Sequence, residues 1–319
     1  MFPEMRGVAV PQQPTMLVET INMGLVQELI ALWQSDLGEL NPATRTSYRR
    51  GTAIFFDWLA GQDRTELNHM TVRAWLSGLS ALGYKPGSIN TWLVGLRSFF
   101  AWVHERGHIP FNPALGIRGI RRRGTTRTHR RDELTAGEVL AVFDTCDESN
   151  VGRRDYALLS LMAYAALRQG EIHRADIEDL KAKDGRQVLW LRGKGSLDKD
   201  DFVVLSPIAE EVILDWLSIH PHSKGALFVS FANRNRGKRL SLRSIRQIVK
   251  ERYIEAGVVG STKTTHSLRH SAISTAIRNG ASLTQVQAMA RHANINTTMI
   301  YFHETGRTSE PAEDFIQYE

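Results

Sequence analysis

Between residues 118 and 131 the chain reads RGIRRRGTTRTHRR, a run with seven arginines and no acid. Helical patterning stops before this run and starts again after it. The 319 residues are therefore expected to fold as two bodies joined by a cationic segment, in keeping with ~150 residues per domain. Such a run is either a solvated linker or a strap along a phosphate backbone, where clustered cations gain from counterion release. The whole chain carries 40 Lys+Arg against 34 Asp+Glu, a net charge of +6. The arginines of this one run thus outnumber the entire net excess, which suits a polyanionic partner such as nucleic acid.

Before the run, apolar spacing predicts four helices, at about 23–33, 42–59, 72–82 and 88–105. The second opens with Asn41-Pro42, a cap followed by proline at the first helical position. The fourth carries Ile89, Trp92, Leu93, Leu96, Phe99 and Phe100 on one stripe and ends at Gly107. No strand pattern interrupts them, so 20–107 reads as a small all-helical bundle. After the run, Thr135 and Glu138 form a capping box that opens a helix toward Cys146. The next helix, from Asp155, is apolar almost all round (YALLSLMAYAAL) and should cross the middle of a core, stopping at Arg168-Gln169-Gly170. Two β-rich runs, 188–192 and 201–206, joined by GKGSLDKD, predict a hairpin. Helices follow at about 207–217, 241–256, 267–279 and 282–291, with a final short one at 296–302. The expected class is mainly α with a small antiparallel β-sheet.

Composition removes several function classes. A single cysteine, Cys146, excludes an intrachain disulfide framework and any Cys-rich zinc module. The longest apolar run, 156–167, is too short to span a bilayer. The opening MFPEMRGVAVPQQPTMLV is broken by three prolines and lacks the apolar stretch of a signal peptide. A cytoplasmic protein is expected.

The residues able to do chemistry gather in the second half. Arg168, at the end of the predicted apolar helix, either complements the helix dipole or clamps a phosphate. His266, Arg269 and His270 stand at i, i+3 and i+4 and share a helix face. No HExxH glutamate or third-ligand spacing supports a metal there, and a cation between two histidines favours an anion. His292 follows a predicted helix and Tyr301 lies nine residues later. Two arginines, histidines, a hairpin lysine and a tyrosine are what metal-free phosphoryl transfer needs: cations for the charge on phosphorus and a hydroxyl nucleophile.

Four motifs in order resemble the tyrosine recombinases, also called phage integrases: ALRQGEI (166–172), RGKG (192–195), HSLRH (266–270) and ARHANINTTMIYFH (290–303). The His292-to-Tyr301 interval is that of the family, and the likeness covers about 20–305. The resemblance implies a core-binding helical domain and an α+β catalytic domain forming a C-shaped DNA clamp. Its segments would be a flexible N-terminal segment 1–19, the DNA-binding bundle 20–107, a basic linker 108–132, the catalytic domain 133–305 and a tail 306–319. It further implies a site-specific DNA recombinase that cuts and rejoins strands through a 3′-phosphotyrosine, without metal, ATP or other cofactor. Arg168 and Arg269 would bind the scissile phosphate, Tyr301 would attack it and Lys194 would protonate the departing 5′-hydroxyl. His266, the favoured acceptor of the phenolic proton, and His292 would assist, with Glu171 and His270 in support. Arg121, Arg122, Arg123, Arg127, Arg130 and Arg131 would lie on DNA phosphates. Partners would be duplex DNA at recombination sites, a second copy on each site, a tetrameric synapse and accessory DNA-bending proteins. The enzyme would be cytoplasmic and nucleoid-associated when DNA-bound. The tail would dock on a neighbouring protomer through Phe315, Ile316 and Tyr318.

The sequence departs from the family pattern at three places. Ala290-Arg291 precede His292 where Leu-Gly is common, so that Arg291 either narrows the backbone approach or adds a phosphate contact. The hairpin is about two residues longer than usual, with Asp198, Asp200 and Asp201 near its end, which leaves Lys199 as a rival to Lys194. Ala166 stands where glycine is more usual. Rival functions are a type IB topoisomerase-like nicking-closing enzyme and a catalytically silent DNA-binding regulator.

Overall fold

The computed structural model describes residues 16–17, 23–38, 40–62, 66–121, 133–192, 198–258, 260 and 262–305. The chain divides into two compact units, 1–125 and 126–319.

The first unit is a helical bundle: β1 (Met16–Leu17), α1 (Met23–Asp36), α2 (Pro42–Ala60), β2 (Glu66–Leu67), α3 (His69–Ala81) and α4 (Pro86–Glu105). The Asn41 side chain accepts from the Ala43 amide at 2.9 Å, which satisfies an orphan donor at the start of α2, and Pro42 takes the first helical position. α2 and α4 lie backbone to backbone because small residues face each other's chain. A Cβ on Gly51 would stand 2.6 Å from Trp92 Cα, and one on Gly95 would stand 2.6 Å from Tyr48 Cα. The interior is aromatic, with the Phe55 ring edge-on to Trp75 and to Phe100 at 5.4 and 5.6 Å.

Two details differ from the sequence reading. β1 and β2 form an antiparallel ladder, two residues on each strand, too short to leave an alternating pattern. The chain after α4 is not free linker up to Arg121. Ala114 and Ile117 are buried in the bundle core. The Asn90 side chain also grips Ile120, accepting from its amide at 2.8 Å and donating to its carbonyl at 3.0 Å. Arg121, just past this anchor, is exposed, whereas Arg122, Arg123, Arg127, Arg130 and Arg131 lie outside the described residues.

The second unit is built around α6. Its elements are α5 (Ala136–Asp144), α6 (Asn150–Tyr164), α7 (Gln169–Arg174), β3 (Leu180–Lys183), β4 (Arg186–Leu191), β5 (Asp201–Val204), α8 (Pro207–Ser218), α9 (Leu242–Glu255), α10 (Thr265–Arg278), α11 (Leu283–Ala290) and α12 (Asn296–Thr305). The Thr135/Glu138 and Ser282/Gln285 capping boxes both form. Residues 157–162 of α6 are all buried, with α8 and α10 packed against the helix. Its first turns hold a buried ionic knot: Asp155 accepts from Arg154 at 2.6 Å and from Arg252 of α9 at 2.8 Å. The antiparallel sheet runs β3-β4-β5, with Leu189 opposite both Leu180 and Val203. The predicted hairpin is β4–β5; β3, mostly exposed, gave no apolar alternation to read. Its turn, with Lys194, lies outside the described residues, as do 1–15 and the tail 306–319.

Candidate active site

The site begins where α6 ends. The helix stops at Tyr164, and Ala166 turns into the left-handed region (φ +50°), a conformation that disfavours a Cβ. The turn reverses the chain so that Arg168 becomes the N-cap of α7 rather than the last residue of α6. This corrects the dipole reading of Arg168, since a helix N-terminus attracts anions. Glu171, in the first turn of α7, reaches back to accept from the Arg168 amide at 2.7 Å and from its Nη1 at 2.8 Å.

A second left-handed residue does the same work at the end of α11. Arg291 (φ +51°, ψ +51°) closes the helix, with its amide donating to Ala288 O and the His292 amide donating to Gln287 O. The two turns aim their carbonyls at a common point. Arg269, buried on α10, donates to both Ala166 O and Ala290 O. Arg168 Nη2 donates to Ala290 O at 3.3 Å, and Arg291 Nη2 donates to Ala166 O at 3.2 Å. Arg291 also forks onto Glu171, through Nη2 at 2.8 Å and Nε at 3.3 Å. Three guanidiniums are thus held by one carboxylate and three carbonyls, those of Ala166, Ala290 and, for Arg291, Met289.

The charge count of this cradle is lopsided. Burial pushes the Glu171 carboxyl up, but Arg291 and Arg168 outweigh it and hold the group below the usual carboxylate range. Burial, Arg168 and Arg291 draw Arg269 down to about 9, still protonated at neutral pH. Burial and the charges of Arg269, Arg168 and Arg291 bring His292 down to about 4, and burial with Arg269 and Arg168 lowers His266. Both imidazoles are neutral at pH 7. Three cations facing one anion is a site that lacks a negative charge, and a phosphate diester supplies one.

Tyr301 is buried beside this cradle, packed among Ala166, Ile273 and Ala290. Its hydroxyl shares a hydrogen bond with His270 Nδ1, one turn beyond His266 on α10, and the rings stand 5.5 Å apart. His266, at the start of α10, is only partly covered and more open to solvent than His270, and the phenol meets His270 rather than the favoured acceptor of the sequence reading. The spacing placed both imidazoles on one face and could not rank their reach. His292 Nδ1 bonds the buried Thr298 hydroxyl at 2.9 Å, which fixes the ring. Lys199 is committed elsewhere: its ammonium sits 2.8 Å from Asp176 and 2.5 Å from Asp179. Burial opposes its charge, but those carboxylates raise the group above its ordinary value. Among the described residues, no three His, Cys, Asp or Glu side chains converge as a metal site, and no helix is long and apolar enough to cross a membrane.

Residues 132–307 match the phage integrase family, and residues 30–107 match the phage integrase N-terminal SAM-like domain. The chain is similar to the tyrosine recombinase XerC of Vibrio cholerae, 31% identical over 243 residues that cover 75% of this chain and 74% of the relative. It is also similar to XerC of Yersinia pestis, 30% identical over 276 residues covering 83% and 85%. In fold it resembles the XerH site-specific recombinase bound to its difH substrate after cleavage (TM-score 0.70, 17% identity, 94% of this chain and 90% of that one). It likewise resembles a lambda integrase dimer on a core site (TM-score 0.64, 16% identity, 85% and 96%).

Proposed function

The chain belongs to the phage integrase family of tyrosine recombinases, and from that premise we propose that it cuts and rejoins DNA at a specific site through Tyr301. The observation that carries this reading is the meeting of the Tyr301 hydroxyl, hydrogen-bonded to His270, with an arginine cradle that holds more cations than anions. A phenol has a pKa near ~10 and needs both a proton acceptor and cationic surroundings to attack at neutral pH. His270 is the acceptor by contact; His266 and His292, neutral in the free protein, accept or donate hydrogen bonds to the phosphate. Tyr301 Oη bonds to phosphorus, its proton passes to His270, and the bond from phosphorus to the 5′-oxygen breaks. Arg168 and Arg269 hold the nonbridging oxygens throughout. The departing oxygen takes its proton from Lys194, because Lys199 is already matched by Asp176 and Asp179. Attack by the 5′-hydroxyl of a partner strand reverses these steps and returns the proton to Tyr301. The strand is resealed without ATP because the phosphodiester is exchanged, never hydrolysed.

The DNA-bound structures of XerH and lambda integrase support duplex DNA as the substrate and pairing of two copies on a site. In this reading 20–107 and 133–305 both contact DNA, 108–132 continues as a phosphate strap through Arg121, Arg122, Arg123, Arg127, Arg130 and Arg131, and tail 306–319 docks on a neighbour within a tetramer.

The test is adduct formation. Incubated with fragmented genomic DNA and denatured, the wild-type protein should carry covalent DNA whose sequencing returns the site, while Tyr301→Phe should bind that site without adducts. An adduct on Tyr301→Phe overturns the assignment. In the same assay, Lys194→Ala should cleave ~10² to 10⁴-fold slowly, as for a lost general acid. It should recover on a 5′-thio substrate, whose thiolate leaves unprotonated. Thio rescue of Lys199→Ala instead would move the acid to that residue.

A further inference from the structure

Arg291 stands where the family pattern carries glycine, on a left-handed backbone that a Cβ disfavours. Whatever holds an arginine there must offset that strain, and the structure shows what does. Both oxygens of Glu171 accept from two arginines at once: Oε2 from the Arg168 amide and Arg291 Nη2, Oε1 from Arg168 Nη1 and Arg291 Nε. The two arginines differ in exposure. The Arg291 side chain is 5% exposed, and its remaining donors go to Ala166 O and Met289 O. The Arg168 side chain is 35% exposed. With Nε and both Nη groups donating inside the protein, Arg291 is turned inward to Glu171 rather than toward a phosphate.

We propose that Arg291 is a positioning residue that takes up the charge of Glu171, so that Arg168 stays aimed by Glu171 while keeping its own charge for the DNA phosphate. A lone buried carboxylate beside Arg168 would match that guanidinium fully, and a matched ion pair gives a phosphate little reason to enter. With a second guanidinium forked onto the same carboxylate, the pair becomes a triad with a net positive charge, and the open end of that triad is Arg168. The proposal rests on the reading of Arg168 and Tyr301 given above, and it concerns how that cradle is charged, not which residue attacks.

The experiment uses the full chain and a nicked suicide duplex carrying the site recovered from wild-type adducts. It reads two quantities: the half-saturation concentration for DNA and the rate of adduct formation at saturating protein. Arg291→Gly, which suits the left-handed backbone, should slow cleavage on the order of 10- to 100-fold, the range for a displaced reacting group, with half-saturation, set by the many phosphate contacts along the rest of the duplex, unchanged. Arg291→Lys, which keeps the charge near Glu171, should stay within ~3-fold of wild type, a small loss beside one from a displaced group. Glu171→Gln removes the charge that Arg291 balances, so adding Arg291→Gly to it should cost no further rate.

A glycine variant as fast as wild type overturns the proposal, as does weaker DNA binding with an unchanged saturated rate, a lysine variant as slow as glycine, or additive losses in the double variant. Should the glycine variant fail to fold, as judged by its thermal transition, Arg291→Gln against Arg291→Lys carries the same comparison. Tyr301→Phe runs alongside: adducts on it would sink the parent reading, whereas their absence leaves the arginine series to succeed or fail alone.

Discussion

The two units fill their interiors with different chemistry. In the helical unit the one buried polar side chain among the described residues is Thr52, and the rest of the core is aliphatic and aromatic, centred on Trp33, Phe55, Trp75 and Phe99. The other unit buries Arg154, Asp155, Glu171, Asp179 and Arg269 beneath or beside its apolar core. The first is held by shape and apolar area, which any snug substitute could supply. The second has placed charges where water cannot reach them, and each depends on a named partner. A change in the bundle therefore alters stability without altering charge, whereas a change near the cradle alters both.

The largest expected effect tests the shape half of that contrast. Gly51→Ala puts a methyl against the Trp92 backbone, which no rotamer can relieve, so α2 and α4 must separate. Urea unfolding followed by hydrogen exchange should show the bundle weakened by about 3 kcal/mol, the upper end of overpacking costs, with exchange in 133–305 unmoved. A loss shared equally by both units would mean that they do not hold their cores independently.

A medium effect tests the charge half. His292 is held near 4 against an ordinary value of 6.5. Between those values the unfolded chain binds more protons than the folded one, so stability present above pH 6.5 drains away as pH falls toward 4. His266, also lowered, acts in the same direction. The unit holding the cradle should thus lose protection across that window more steeply than the bundle, and His292→Gln should flatten its profile. Parallel profiles for the two units would break the comparison.

The smallest effect asks whether the cradle carries backbone strain. Ala166→Gly removes a Cβ at φ +50° and should stabilise the second unit by up to ~1 kcal/mol, less the entropy of an added glycine in the unfolded chain. A loss of stability in thermal denaturation would show that the methyl packing among Ile273, Ala290 and Tyr301 outweighs the strain.

Helices long enough to show a period, or opened by a cap, were legible from residues alone: α2 from Asn41-Pro42, α5 from Thr135 and Glu138, α11 from Ser282 and Gln285. α7 was not, because six residues show less than two turns of periodicity and the preceding apolar run gives no sign of stopping. Alanine is a helix former, and nothing in ALR announces that Ala166 leaves the helix left-handed. For the same reason Arg168 read as the end of one helix when it opens the next. The motifs did bring Arg168, Arg269, His270, His292 and Tyr301 into one region. What they could not supply was pairing: His270 as the partner of Tyr301, Lys199 held by two aspartates, and Arg291 turned inward to Glu171. Those depend on which side chains a fold leaves facing one another, a property of tertiary distance and not of spacing.

The acceptors that aim Arg269, Ala166 O and Ala290 O, belong to the main chain. A mutation can replace any side chain but cannot delete a peptide carbonyl. As long as the two turns keep their shape, the side chains at 166 and 290 can change without moving the acceptors of the guanidinium at 269, whereas Arg291 has the further task of matching Glu171. That independence fits a chain that carries Ala166 at one turn and Ala290-Arg291 at the other and still assembles the cradle. The aim of Arg269 is set by the path of the backbone, and the side chains on its two corners are left to other tasks.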